Sequence, residues 1–315
     1  MSRARAAAAA TELETLTTRV AWSQWRAIGG SAAARGAWTP IVDPEALVLV
    51  SLFLRDREPR LREVLASWVS ENAPLLSVQR LKNLRSRYPS ALHQRIAEFS
   101  QEARALSRHP RWQSLGDGDD DAERAPQLPA IPRATAPALH HAAALLLRLR
   151  TAMGVGLKAD VLTLALGTDG VLTVREIADA LAYTLVGSRA AATDLASAGF
   201  LVESRGKPSA FAVNYSEWAS LLRLPERPRW FGWHHWFTLI VDLLTWIHDP
   251  PTRALSDYAF DVKLRQLFER HPLFFRSVAH QIGGQAFLTE RGDSLDVLAA
   301  LVAWVQEQHV QTLGA

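Results

Sequence analysis

Apolar residues recur at helical spacing over most of the chain. Between Thr11 and Ile28, the residues Leu13, Leu16, Val20 and Trp25 fall near one face and predict a helix. Pro44 to Leu54 is almost continuously apolar, with Asp43 placed as its N-cap and Pro44 in its first turn. Further helices are predicted over Pro59–Asn72, Ser77–Tyr88 (stopped by Pro89) and Ala91–Arg108. Later in the chain the pattern predicts helices over Ala138–Thr151, Lys158–Leu166, Trp236–His248, Arg253–Arg270 and Leu295–Gln308. No sequence repeat at a fixed period is present.

The periodicity lapses over Ser114–Pro137, where glycine, proline and an acidic run replace the apolar stripe. That composition predicts an exposed linker. The expected organisation is a basic helical unit over 1–113, a linker over 114–137, a compact unit over 138–225 and a helical unit over 226–315. At 315 residues, a multi-domain chain is the natural expectation.

One segment departs from the all-helical pattern. Leu172 closes a short strand, and Thr173 and Glu176 have the spacing of a capping box. Val174, Ile177, Ala178 and Leu181 then form an apolar stripe. A tight turn over Ala182–Thr184 leads to a second helix, Leu185–Ser197, with Thr184 as its N-cap and the small residues Ser188, Ala191 and Ala192 beside Leu195 on its inner face. Gly199 ends that helix as a left-handed cap. Phe200–Glu203 and Phe211–Val213 alternate as strands around the basic turn Arg205–Ser209. The fold class expected for the whole chain is therefore mainly α, with a small β-wing.

The run GVGLKADVLTLAL (Gly154–Leu166), followed by VREIADALAY and DLASAGFLV, resembles the winged helix-turn-helix of MarR-like bacterial regulators. The resemblance covers Gly154 to Asn214. It implies that Leu185–Ser197 enters a DNA major groove, offering Thr184, Arg189 and Thr193, while Arg205 and Lys207 on the wing meet the backbone. The chain departs from the family pattern at Leu185 and Val186, where polar or basic residues are usual.

Charge changes this picture. The module from Gly154 to Asn214 carries five Lys/Arg and six Asp/Glu, a net of −1. Twelve Lys/Arg and six Asp/Glu lie between Arg55 and Arg111, a net of +6. Phosphate neutralisation dominates DNA affinity, so the N-terminal unit is a second candidate reader. Within SVQRLKNLRSRYP, the apolar Val78, Leu81, Leu84 and Tyr88 are expected to face a core. Gln79, Arg80, Asn83 and Arg87 are expected to project outward, with Lys82 and Arg85 adding positive charge.

The remaining chemistry is sparse. The absence of cysteine excludes a disulfide scaffold, a thiolate zinc site and a cysteine nucleophile. The pairs His140–His141 and His234–His235 lack a metal ligand at helical spacing, and no metal or other cofactor is expected. Glycines in GVGLK read as a turn. The run RPRWFGWHHWF (Arg227–Phe237) reads as core or dimer interface. No GxSxG, HExxH or paired-carboxylate motif appears, so the expectation is a protein without enzymatic activity.

No run reaches the length of a membrane span, and the N-terminus lacks the apolar segment of a signal peptide. The expectation is a cytoplasmic, homodimeric regulator bound to double-stranded DNA, with no membrane partner. The competing expectation is an interaction subunit, antitoxin-like or part of a defence system, whose winged helix binds a protein.

Overall fold

A computed structural model describes residues 2–30, 40–107, 110–115, 136–204, 206–224, 226–278 and 294–313. The expected linker therefore lies almost wholly outside the described residues, as does Arg205. The described chain is mainly helical with one small antiparallel sheet.

The first five helices are α1 (Ser2–Ala27), α2 (Pro44–Leu54), α3 (Pro59–Asn72), α4 (Val78–Arg85) and α5 (Ser90–Ser107). In α1, Ala6, Ala10, Leu13, Leu16 and Val20 recur every three to four residues and are buried, as is Trp25. Its Thr11, Thr15, Thr17 and Thr18 hydroxyls each donate to the carbonyl four residues back, so these β-branched residues stay compatible with the helix. Asp43 caps α2 by accepting from the Ala46 N–H at 3.1 Å. Almost every residue of α2 is buried, as expected of a helix apolar on all sides.

Two helices, α6 (Leu145–Met153) and α7 (Leu157–Leu166), precede β1 (Leu172–Thr173), α8 (Val174–Leu181) and α9 (Leu185–Ser197). Then follow β2 (Val202–Glu203), β3 (Ala210–Ala212) and α10 (Tyr215–Leu222). The sheet order is β1-β3-β2, with Leu172 opposite Phe211 and Val202 opposite Ala212. The capping box at Thr173 and Glu176 forms as its spacing predicts, and Thr184 caps α9 through the Gly187 N–H at 3.1 Å. Gly199 has φ 76°, the left-handed conformation that ends α9.

The last helices are α11 (Trp233–His248), α12 (Pro250–Arg253), α13 (Asp257–Glu269), α14 (Pro272–Val278) and α15 (Ser294–Leu313). They do not build a core of their own. α15 packs on α1, and α11 lies against both α1 and α2. Apolar side chains from 6–115 and 233–305 merge into one cluster. The segments assigned by sequence to a first and a last unit thus pool their apolar surface. The tryptophan-rich run belongs to this core: Trp233, Trp236 and Phe237 are buried, and Trp236 meets Trp304 edge-on at 6.2 Å. A second cluster is formed by α6 to α9 and the sheet, centred on Leu162, Ile177, Leu195 and Phe211.

The two clusters touch at defined points. Ile41 packs into the second cluster, while its carbonyl accepts from Trp233 Nε1 at 2.8 Å. Gly167 closes α7 against Trp230, whose N–H donates to the Gly167 carbonyl at 2.7 Å. A Cβ at Gly167 would lie 2.7 Å from Ile41 Cδ1 and 2.8 Å from the Trp230 nitrogen, so only glycine fits without displacement. Among the described residues, no helix is long and apolar enough to cross a membrane.

Candidate nucleic-acid interface and the charge cluster behind it

The residues proposed from sequence as DNA contacts divide sharply. Arg80, expected outside, is fully buried. Its guanidinium donates to Asp43 Oδ1 and Oδ2, to Glu45 Oε2 at 2.8 Å and, through Nε, to the Leu181 carbonyl at 2.9 Å. The helical stripe of α4 explains this misplacement. Arg80 flanks Leu81 and Leu84, and the two carboxylates at the start of α2 draw it inward. Burial by itself pushes Arg80 down, but Asp43 and then Glu45 outweigh it, so the guanidinium stays ionised. It is not available to a phosphate.

Arg80 is half of a larger cluster. Arg150 on α6, also fully buried, donates from Nε and Nη2 to Asp160 at 2.8 and 2.9 Å. It also donates to Glu45 at 2.6 and 3.1 Å and to the Leu75 carbonyl at 2.9 Å. Glu45 further accepts from the Ser77 N–H at 2.7 Å. Tyr183, in the turn before α9, donates to Asp160 Oδ2 at 3.2 Å and lies 3.2 Å from the Ser77 hydroxyl. Burial first, and then Asp160, push the Tyr183 phenol up, so it remains a donor. Two guanidiniums therefore hold three buried carboxylates contributed by α2 and α7, with every charge paired. Such an arrangement is costly to break and gives little free energy over a well-packed apolar alternative. Its evident effect is geometric, since it pins α2 and α4 to α6, α7 and the turn before α9.

That pinning brings the two candidate readers together. Arg80 bonds the Leu181 carbonyl, and Asn83 Nδ2 donates to the Ala182 carbonyl at 3.0 Å. Both acceptors stand immediately before α9. Ala182 takes the left-handed conformation with φ 58°, which turns the chain sharply between α8 and α9. Asn83 Oδ1 in turn accepts from Gln79 Nε2 at 2.9 Å. Asn83, expected to read a base, thus has both ends of its amide committed internally, while Gln79 remains exposed. Arg87, one turn beyond Asn83, keeps an exposed side; partial burial pushes its guanidinium down from the ordinary value, and Asp179 on α8 opposes that shift. Lys82 and Arg85 are half-buried, and Arg85 reaches the Leu115 carbonyl at 3.4 Å.

On α9 itself, Thr184, Leu185, Val186, Arg189, Ala190, Thr193 and Asp194 are exposed. Ser188, Ala191, Ala192 and Leu195 face inward, as the small-residue spacing predicts. Asp194 pairs with Lys158 at 2.8 Å, which offsets one negative charge on that face. Val186 is 80% exposed and Leu185 46% exposed. Lys207 is exposed in the turn between β2 and β3. Exposed residues thus remain on and just past α4, at Gln79 and Arg87, and at the cap and along the outer face of α9, at Thr184, Arg189 and Thr193.

Sequence reasoning missed the buried cluster entirely. A signal was present: Asp43 and Glu45 flank Pro44 at the head of an otherwise apolar helix, and Arg150 closes the run LLLRLR. Charges embedded in apolar runs of different helices require partners when the helices pack.

His234 is also buried, with Nε2 donating to the Ala180 carbonyl at 2.9 Å. Burial, then the neighbouring His235, then Arg80 and Arg87 hold it well below the ordinary histidine range. His235 is lowered to about 3, first by burial and then by Arg87. Both side chains are neutral at pH 7. Among the described residues, no three His, Asp or Glu side chains form a group able to hold a metal ion.

No protein-family model matches the chain, and no curated protein or solved structure matches it either.

Proposed function

We propose that the chain is a DNA-binding regulator, without catalytic activity, in which α7 to α9 and the β2–β3 hairpin form a winged helix and α9 reads the major groove. What carries this reading is the placement of α4 against the turn that launches α9. Bonds from Arg80 and Asn83 to the Leu181 and Ala182 carbonyls fix that placement. The proposal sets Gln79 and Arg87 beside the exposed face of α9, so that cations from both candidate readers border one surface. In this reading Arg189 and Thr193 meet base edges, Arg87 and Lys207 meet phosphates, and Arg80 positions the reader from inside. A cytoplasmic homodimer on two half-sites completes the proposal.

The test is fluorescence anisotropy with labelled duplexes selected from a random pool. Arg87→Ala should weaken all duplexes about equally. Arg189→Ala should instead reduce the preference for the selected sequence by about 1–3 kcal/mol. Equal affinity of wild type and both variants would exclude the surface.

A second reading is favoured by one observation. Leu185 and Val186 stand exposed at the head of α9, where an apolar pair suits a protein partner better than a phosphate backbone. In that reading the same surface binds a protein, and Val186→Glu abolishes the association while Arg87→Ala leaves it intact.

A further inference from the structure

Independent of the regulator reading, a cleft of about 470 Å³ opens between the end of α2, the start of α5 and the C-terminal half of α11. Its size suits a small organic ligand. Phe53, Leu92, Leu244 and Trp246 give it an apolar lining, while Arg57, Arg95 and Arg270 bring guanidiniums to the same cleft.

The hydrogen-bond inventory there is unbalanced. Arg95 is committed, since it donates to the Leu52 and Phe53 carbonyls and to Asp56. It closes the C-terminus of α2. Arg57 pairs with Glu14 at 2.7 Å through one nitrogen. Its other terminal nitrogen lies 3.4 Å from His248 Nδ1, but that ring nitrogen is 2.7 Å from the Leu244 carbonyl, to which it donates. It therefore offers Arg57 no lone pair. Arg270 is 61% exposed and pairs with Asp242 at 3.2 Å. Asp242 also accepts from His271 Nε2 at 3.0 Å, so its acceptor capacity is already shared. Asp249 is the other lining carboxylate and is exposed to solvent. Each guanidinium carries five N–H donors. Arg57 and Arg270 thus leave a surplus of donors beside an apolar, aromatic wall.

We propose that this cleft binds a small amphipathic anion. Its carboxylate or sulfonate head bonds Arg57 and Arg270, and its hydrophobic body lies against Phe53, Leu92 and Trp246. A neutral molecule of the same shape satisfies the wall but not the donors, so the head group carries the specificity.

Two naphthalene dyes of matched shape test this with the full chain. One is 8-anilinonaphthalene-1-sulfonate, and the other is N-phenyl-1-naphthylamine, which lacks the sulfonate. The wild type should bind the sulfonate saturably at one site. Arg270→Ala should weaken the sulfonate about tenfold, the loss expected for one charge-assisted hydrogen bond, while changing the neutral dye less than about twofold. Ala91→Trp, placed on the exposed edge of the cleft, should exclude both dyes. Arg57→Gln, read against unchanged far-ultraviolet dichroism, provides a second removal of donors should Arg270→Ala misfold. Equal binding of the two dyes by wild type, an unchanged sulfonate affinity in the folded arginine variants, or undiminished binding by Ala91→Trp would each overturn the proposal.

Discussion

Arg150→Met is the most searching perturbation of the architecture, because it removes the cation while keeping an unbranched stem. Arg150 donates five hydrogen bonds, two to Asp160, two to Glu45 and one to the Leu75 carbonyl. After the substitution, Glu45 retains Arg80 and the Ser77 N–H. Asp160 retains only the Tyr183 hydroxyl at 3.2 Å. A buried carboxylate stripped of its guanidinium costs about 3–5 kcal/mol. Methionine fills most of the vacated volume, so the cavity contribution is small. Against a total stability of about 5–15 kcal/mol for a typical domain, the loss is severe. Urea unfolding at pH 7, followed by tryptophan fluorescence, measures it. Adding Asp160→Asn to the same chain should recover about half the loss, since a neutral amide tolerates the missing cation. A cost under about 1 kcal/mol, or a further loss from Asp160→Asn, would refute the view that these charges hold the two clusters together.

Three other outcomes follow from the packing. His234 and His235 are neutral in the folded protein and titrate near 6.5 when unfolded, so stability is complete above that pH and falls as pH drops below it. The slope should reach about 1.4 kcal/mol per pH unit for each histidine, continuing for His235 down to about pH 3. Urea midpoints from pH 8 to pH 4 check this, and His234→Gln should flatten the curve. Thr173→Ala removes the hydroxyl half of the capping box at α8, leaving the backbone N–H at 173 bonded to Glu176, and should cost about 1 kcal/mol in the same assay. Gly167→Ala forces a Cβ against Ile41 and the Trp230 backbone and should cost about 1–3 kcal/mol, whereas Gly206→Ala, with nothing closer than 3.8 Å, should cost far less.

Local signals carried much of this fold. The caps at Asp43, Thr173 and Thr184 and the left-handed stop at Gly199 depend on residues within four positions of each other. They were legible, with the bounds of α2 and α3 read to the residue. The joining of α1 to α15 and of α2 to α11 was not legible. It depends on which apolar faces meet across about two hundred residues or more, and periodicity is silent on that. The misplacement of Arg80 has the same origin. A helical wheel puts Arg80 beside Gln79 and Asn83 at the edge of the apolar stripe, and only the approach of Asp43 and Glu45 from another helix decides that it turns inward. Arg87, two residues past the end of α4, and Arg189 on α9 meet no such carboxylate pair and stay exposed, as the sequence predicts.

The central proposal is that Arg87 just past α4, Arg189 of α9 and Lys207 of the hairpin border one surface that a duplex occupies. The salt dependence of duplex binding tests it most directly. Arg87 and Lys207 each neutralise a phosphate in this account. The logarithm of affinity plotted against the logarithm of salt concentration should then fall with a slope of about −2 per protomer, becoming about one unit shallower in Arg87→Ala. A flat plot, or no binding at about 50 mM salt, would contradict the account.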